Sequence, residues 1–154
     1  MFNDINAHKY LFMIEIKEHG LNELKIVIAE GGADVDAPKL TAKDIPNTDL
    51  RKVLKGSKPI TVTPDNTHYE INFPSFIAYA ITDKVYAVDN DSNFDGKNAG
   101  TYTESTFLKF IEHSTYATKD VPGPFTHYCF WCFNQRIDIA SAKPPVVTEI
   151  SRQL

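Results

Sequence analysis

The chain has 154 residues, 42% of them hydrophobic and 23% charged, with a formal charge of −4. This is ordinary composition for one globular domain, and a chain of this size buries about 70% of its unfolded surface without disulfides or metals. The acidic balance argues against nucleic acid as a partner; the densest basic stretch, Arg51, Lys52, Lys55 and Lys58, is interleaved with Val53, Leu54 and Gly56 and reads as a solvated helix face.

The chain begins Met1-Phe2-Asn3-Asp4, without a basic leader segment. Its apolar run from Tyr10 to Ile14 ends at Glu15, too short for a signal core or a membrane span, so the expected location is cytoplasmic with no membrane contact. "KYLFMIEIKE" (9–18) reads as a strand with Tyr10, Phe12, Ile14 and Ile16 on one face. "HGLNE" is turn chemistry, and "LKIVIAE" (24–30) alternates again through Leu24, Ile26 and Ile28, which predicts an antiparallel hairpin. "GGADVDAPK" (31–39) breaks regular structure. "NTDLRKVLKG" (47–56) predicts a short helix, capped by Asn47 or Thr48, with Leu50, Val53 and Leu54 on one face and Gly56 at its end.

"HYEINF" (68–73) is a strand that turns Tyr69, Ile71 and Phe73 one way and His68, Glu70 and Asn72 toward solvent. "FIAYAITDKVYAV" (76–88) is apolar until Thr82-Asp83-Lys84, which can turn the chain. "TESTFLKFIEH" (103–113) is the best helix, with Phe107, Phe110 and Ile111 at helical spacing and a cap among Thr101, Thr103 and Ser105. "FTHYCFWCF" (125–133) is a deeply buried aromatic strand, and Asn134-Gln135 turns it into "RIDIAS" (136–141). Lys143-Pro144-Pro145 ends regular structure, leaving 144–154 as an extended tail. Strands do not alternate with helices, so the expected fold is a single α+β domain over 1–154. It has a curved antiparallel sheet of about five to seven strands and two helices.

Three places offer chemistry. "DNDSNFDG" (89–96) carries the first half of a calcium loop in Asp91, Asn93, Asp95 and Gly96, but the twelfth position, which needs a bidentate Glu, is Tyr102. Asp89, Asp91, Asn93 and Asp95 could still form a weak site outside that pattern; a solvated turn uses the same residue types. Cys129 and Cys132 form a CxxC inside a strand, where positions three apart point to opposite faces, so they read as buried structural thiols and imply no disulfide framework. Zinc would need two further ligands, for which His127 and His113 are the candidates. His127 precedes the aromatic strand, and Arg136 and Asp138 share a face of the next. With Tyr128 or Glu112 they could frame an aromatic-lined pocket, the alternative being a polar cross-strand pair at a sheet rim. His8 and His19 lie outside any such pattern, and no GxSxG or phosphate-binding glycine motif occurs.

The stretches "FPSFIAYAITDKVYAV", "YTESTFLKFIEHSTYA" and "PGPFTHYCFWCFNQRIDIAS" followed by "PP" resemble a widespread set of small uncharacterised bacterial proteins, over residues 69 to 145. In that set Asn-Glu-Ser usually stands where this chain has Thr82-Asp83-Lys84. The resemblance implies a bacterial cytoplasmic domain and brings no activity or cofactor with it. On the residues alone, the expected function is non-enzymatic recognition of another protein, with an immunity-type toxin inhibitor as its form, because an acidic protein can cover a basic active site. The alternatives are an enzyme or small-molecule binder at His127, Tyr128, Arg136 and Asp138, and a calcium module at 89–96.

Overall fold

Two antiparallel sheets of five strands each make up the protein in a computed structural model, which describes residues 1–45 and 47–150. The first runs in the order β1 (Tyr10–His19), β2 (Glu23–Ala33), β4 (His68–Phe73), β10 (Val146–Ile150), with β3 (Ile60–Thr61) paired to the end of β2. The second runs β5 (Phe76–Asp83), β9 (Gln135–Ser141), β8 (Thr126–Trp131), β7 (Ala99–Tyr102), β6 (Phe94–Gly96). Among the described residues three helices accompany them: α1 (Asn3–Ala7), α2 (Thr48–Leu54) and α3 (Thr106–Ser114). No helix among the described residues is long and apolar enough to cross a membrane.

The expected single sheet is therefore two. The chain leaves the first sheet at Phe73, turns through Pro74-Ser75, and enters the second at Phe76, whose N–H donates to the Asn22 carbonyl at 3.0 Å. Periodicity identifies a strand and its apolar face, but not the sheet it joins. Two half-apolar sheets packed face to face cover each other's apolar sides.

The core lies between the sheets. Register places Leu24, Ile26 and Ile28 opposite Phe73, Ile71 and Tyr69 in the first sheet, and Tyr128 and Phe130 opposite Ile139 and Ile137 in the second. All are buried. Phe73 meets Tyr128 across the interior with ring centroids 5.3 Å apart, and Phe2 caps the same cluster edge-on to Phe130.

Other expectations shift for local reasons. A bulge between Met13 and Glu15 breaks the alternation of β1. Leu11, Met13 and Ile16 consequently face the core, while Tyr10 and Phe12 pack against Phe133. The strand β2 continues through Gly31 and Gly32 to Ala33, where a break was expected. His68, expected in solvent, is buried, and its ring is fixed by the Asn66 carbonyl at 2.7 Å. The stretch expected as a tail carries β10, an edge strand paired along β4; residues 151–154 lie outside the described residues. Asn47 caps α2 by accepting from the Asp49 and Leu50 N–H groups, yet Leu50 and Val53 remain exposed rather than packed.

A candidate recognition site on the outer face of the second sheet

Alternation along the hairpin β8–β9 sends Tyr128, Phe130, Ile137 and Ile139 into the core. The intervening residues therefore emerge on the opposite face of the sheet. Register sets His127 opposite Ala140, Cys129 opposite Asp138 and Trp131 opposite Arg136. The neighbouring strand adds Tyr102 beside His127. The helix α3 covers part of this face through Ile111, which is fully buried. Ser105 caps α3, its Oγ accepting the Leu108 N–H at 3.0 Å.

These residues form one hydrogen-bonded chain. Ser105 Oγ lies 2.8 Å from His127 Nδ1, and His127 Nε2 lies 2.8 Å from Asp138 Oδ1. The ionised Asp138 carboxylate can only accept, so Nε2 carries a ring hydrogen and donates to it; in the neutral ring Nδ1 is then the acceptor and takes the Ser105 proton, while the Ser105 oxygen accepts from Leu108. Arg136 donates to the same Oδ1 through Nε at 3.0 Å and Nη2 at 2.9 Å, and through Nη1 to the Val88 carbonyl at 2.6 Å. Its guanidinium stands 4.6 Å from the Trp131 ring centroid, a cation–π contact, and Lys84 sits over the same ring at 4.3 Å. His127 is stacked on Tyr102 at 4.8 Å and touches Phe107 at 5.0 Å.

Burial alone would raise the Asp138 pKa, but the His127 hydrogen bond and the Arg136 charge outweigh it, so the carboxyl is held below its ordinary value. Burial pushes the Tyr102 hydroxyl up to about 12. Burial, reinforced by the Asp138 charge, likewise raises the Cys129 thiol, which stays protonated.

In front of this chain lies an open cleft of about 340 Å³. Its floor is Ala80 and Thr82 of β5 with Arg136 and Asp138. One wall is α3, with Phe107 and Phe110; the other is the loop 84–93, with Tyr86 and Val88. Small side chains at 80 and 82 leave the space open. Tyr86 is 80% exposed and Phe110 55%, so the rim presents apolar side chains to solvent. The loop is tied down by the Arg136 bond to Val88, by Tyr102 Oη donating to Asp89 at 3.2 Å, and by Asp91 accepting from the Thr106 N–H at 3.1 Å.

Of the residues singled out from sequence, His127, Arg136 and Asp138 come together. Tyr128 does not: it sits on the core side of β8. Glu112 is exposed on α3. Asp89 and Asp91 act as acceptors that hold the loop, whereas Asn93 and Asp95 are exposed. Both cysteines are free and buried, Cys129 on the outer face and Cys132 in the core, while His113 bonds the Lys109 carbonyl on its own helix. Among the described residues, one set of three could offer metal ligands within 4.8 Å: His127, Cys129 and Asp138. Its carboxylate is already neutralised by Arg136, both ring nitrogens are engaged and the thiol is held protonated, so the donor set suits the existing cation better than a metal. Sequence reading missed Ser105 as a partner of His127 and missed the loop wall at Tyr86 and Val88; the only signal for Ser105 was its capping position.

The trio Ser105, His127 and Asp138 has the residue types of a nucleophilic triad without its access. His127 is 0% exposed, Ser105 is 3% exposed, and the Ser105 oxygen is spent on the helix cap. Comparison with protein-family models, with characterised proteins and with solved structures gave no match.

Proposed function

We propose that the protein is a non-catalytic binding protein that recognises another protein through the cleft between α3 and the loop 84–93. The observation that carries this reading is the contrast between the rim and the floor. Exposed Tyr86, Val88 and Phe110 surround an opening, while the imidazole of His127, bonded to Asp138 in its floor, is sealed from solvent. Aromatic anchors beside a desolvated arginine are the composition of binding hot spots. A general base must reach the proton it moves, and His127 cannot. The formal charge of −4, with Asp89 and Asp91 in the loop wall, favours a basic partner. An immunity-type inhibitor covering a basic active site is the form this reading takes.

The test is recovery of a stoichiometric partner from native cells by the wild-type protein, against Tyr86→Ala and Phe110→Asp. Both positions are exposed, so folding is retained and partner recovery is expected to drop. Turnover in a substrate screen that disappears in His127→Gln would overturn the proposal. A cleft of about 340 Å³ also falls at the small end of ligand pockets, which favours small-molecule binding as the second reading.

A further inference from the structure

Resting on that reading, the geometry points to the way the partner binds: as an extended segment added along the open edge of β5, with two large apolar side chains at positions i and i+4.

Among the described residues the edge strands of the two sheets are β1, β3, β10, β5 and β6; β3 is only two residues long, and three of the others are defended. The edge of β1 is bulged at Met13/Glu15 and closed by Asn134, whose side chain bonds both the N–H and the carbonyl of Met13. The strand β6 is only three residues long, and β10 carries Glu149. The strand β5 is bulged between Phe76 and Ala78, but from Ala78 to Thr82 it pairs regularly and carries no charge, glycine or proline. Beyond the Phe76 N–H, which is taken by Asn22, the described residues provide no main-chain partner for that edge other than β9 on its far side. An undefended edge of this kind is a template for strand addition.

Specificity in strand addition comes from cavities that accept alternate side chains. The edge of β5 has a cavity at each end. The cleft described above adjoins Ala80 and Thr82. A second cavity, of about 350 Å³, adjoins Phe76 and Ile77 and is walled by Thr115, Tyr116 and Val121. The far wall of both is the same stretch of chain, α3 and the loop leaving it, so both open on the outer face. From Ile77 to the span Ala80–Thr82 is roughly 10 to 17 Å at about 3.4 Å per residue. Side chains on one face of an added strand recur about every 7 Å, so i and i+4 are about 14 Å apart and match the two cavities. Asp91, which lines the cleft, favours a basic residue beyond the apolar side chain seated there. A second copy of this chain is a poor occupant, because β5 offers only Ala78, Ala80 and Thr82 on its outer face and would leave both cavities empty.

The probe is a short synthetic peptide of threonines with two phenylalanines at i and i+4 and a lysine at one end, titrated into the isotope-labelled protein. Binding is expected to protect alternate amides between Ile77 and Thr82 from exchange and to shift Tyr116 as well as Phe110. Moving one phenylalanine to i+3, the opposite face, is expected to weaken binding at least about tenfold. Of two peptides N-methylated on alternate amides, the one blocked on the side facing β5 loses binding and the other keeps it. If both methylated peptides bind as well as the parent, with shifts confined to Tyr86, Val88 and Phe110, strand addition is overturned while recognition in the cleft stands. If no peptide binds although the wild-type protein still recovers its partner, this inference alone is overturned. A dimer paired through β5 in solution would likewise replace the proposed occupant.

Discussion

Replacing Asp138 by Asn keeps the shape of the side chain and removes its charge. In the folded protein Asp138 Oδ1 receives hydrogen bonds from His127 Nε2 and from Nε and Nη2 of Arg136. The Asp138 side chain is 8% exposed and that of Arg136 12%, so the guanidinium cannot turn to water for a new partner. Removing one member of a buried ion pair costs about 3–5 kcal/mol. The Asn oxygen still accepts one bond, and Arg136 keeps Val88 and Trp131, so the lower end applies: about 3 kcal/mol, or roughly 6 to 12 °C in Tm. The acid dependence supplies an internal control. A carboxyl whose folded pKa lies below its ordinary 3.8 stabilises the fold at higher pH, and that contribution disappears as the pH falls below 3.8 through the folded value. Urea unfolding of wild type and Asp138→Asn should therefore show a gap at neutral pH that narrows in acid. A double-mutant cycle with Arg136→Met should return a coupling of about 2 kcal/mol. A gap below about 0.5 kcal/mol at neutral pH, or one that persists unchanged in acid, would show that water rather than Arg136 and His127 solvates the carboxylate.

Ser105→Ala removes the cap from Leu108 and the donor to His127 Nδ1 together, so a loss of about 2 kcal/mol in urea unfolding is expected, larger than for a cap alone. Neither cysteine should react with an aromatic disulfide reagent in the native state, and both should react after denaturation, because burial raises both thiols, that of Cys132 to about 12. Millimolar calcium should leave Tm unchanged in a thermal melt, since Asp89 and Asp91 are committed to Tyr102 and Thr106.

How far these features could be read from the sequence depends on the range of the interaction that makes them. The hairpin β8–β9 was legible because aromatic and aliphatic residues alternate with polar ones over a short span. The same alternation placed Arg136 and Asp138 on one face, with His127 able to approach them across the hairpin, while Tyr128, one residue from His127, was assigned to the site although period two sends it to the core. The bulge in β1 was not legible: it depends on Asn134 holding Met13, a contact between residues 121 positions apart. Nor was the partition into two sheets, because the turn at Pro74-Ser75 looks the same whether the next strand pairs or crosses. The cleft escaped for a related reason. Ala80 and Thr82 are unremarkable strand residues until Phe107 and Tyr86 stand over them.

The cluster at His127, Arg136 and Asp138 was expected either to frame a pocket or to be a polar cross-strand pair at a sheet rim, and its connectivity supports a third role. From Ser105 at the start of α3 the bonds pass through His127 on β8 and Asp138 and Arg136 on β9 to the Val88 carbonyl in the loop. The two ends of this chain are the two walls of the cleft, and its middle lies under the floor. Asp91 closes the circuit by bonding the loop back to the Thr106 N–H. A ring of this kind is costly to half-satisfy and rigid when complete, since each buried donor and acceptor depends on the next. It holds apart two walls that carry exposed Tyr86 and Phe110, side chains that would otherwise collapse onto Ala80 and Thr82 to escape water. The burial of His127, which withholds its imidazole from solvent, is thus the same feature that lets an apolar cleft stay open.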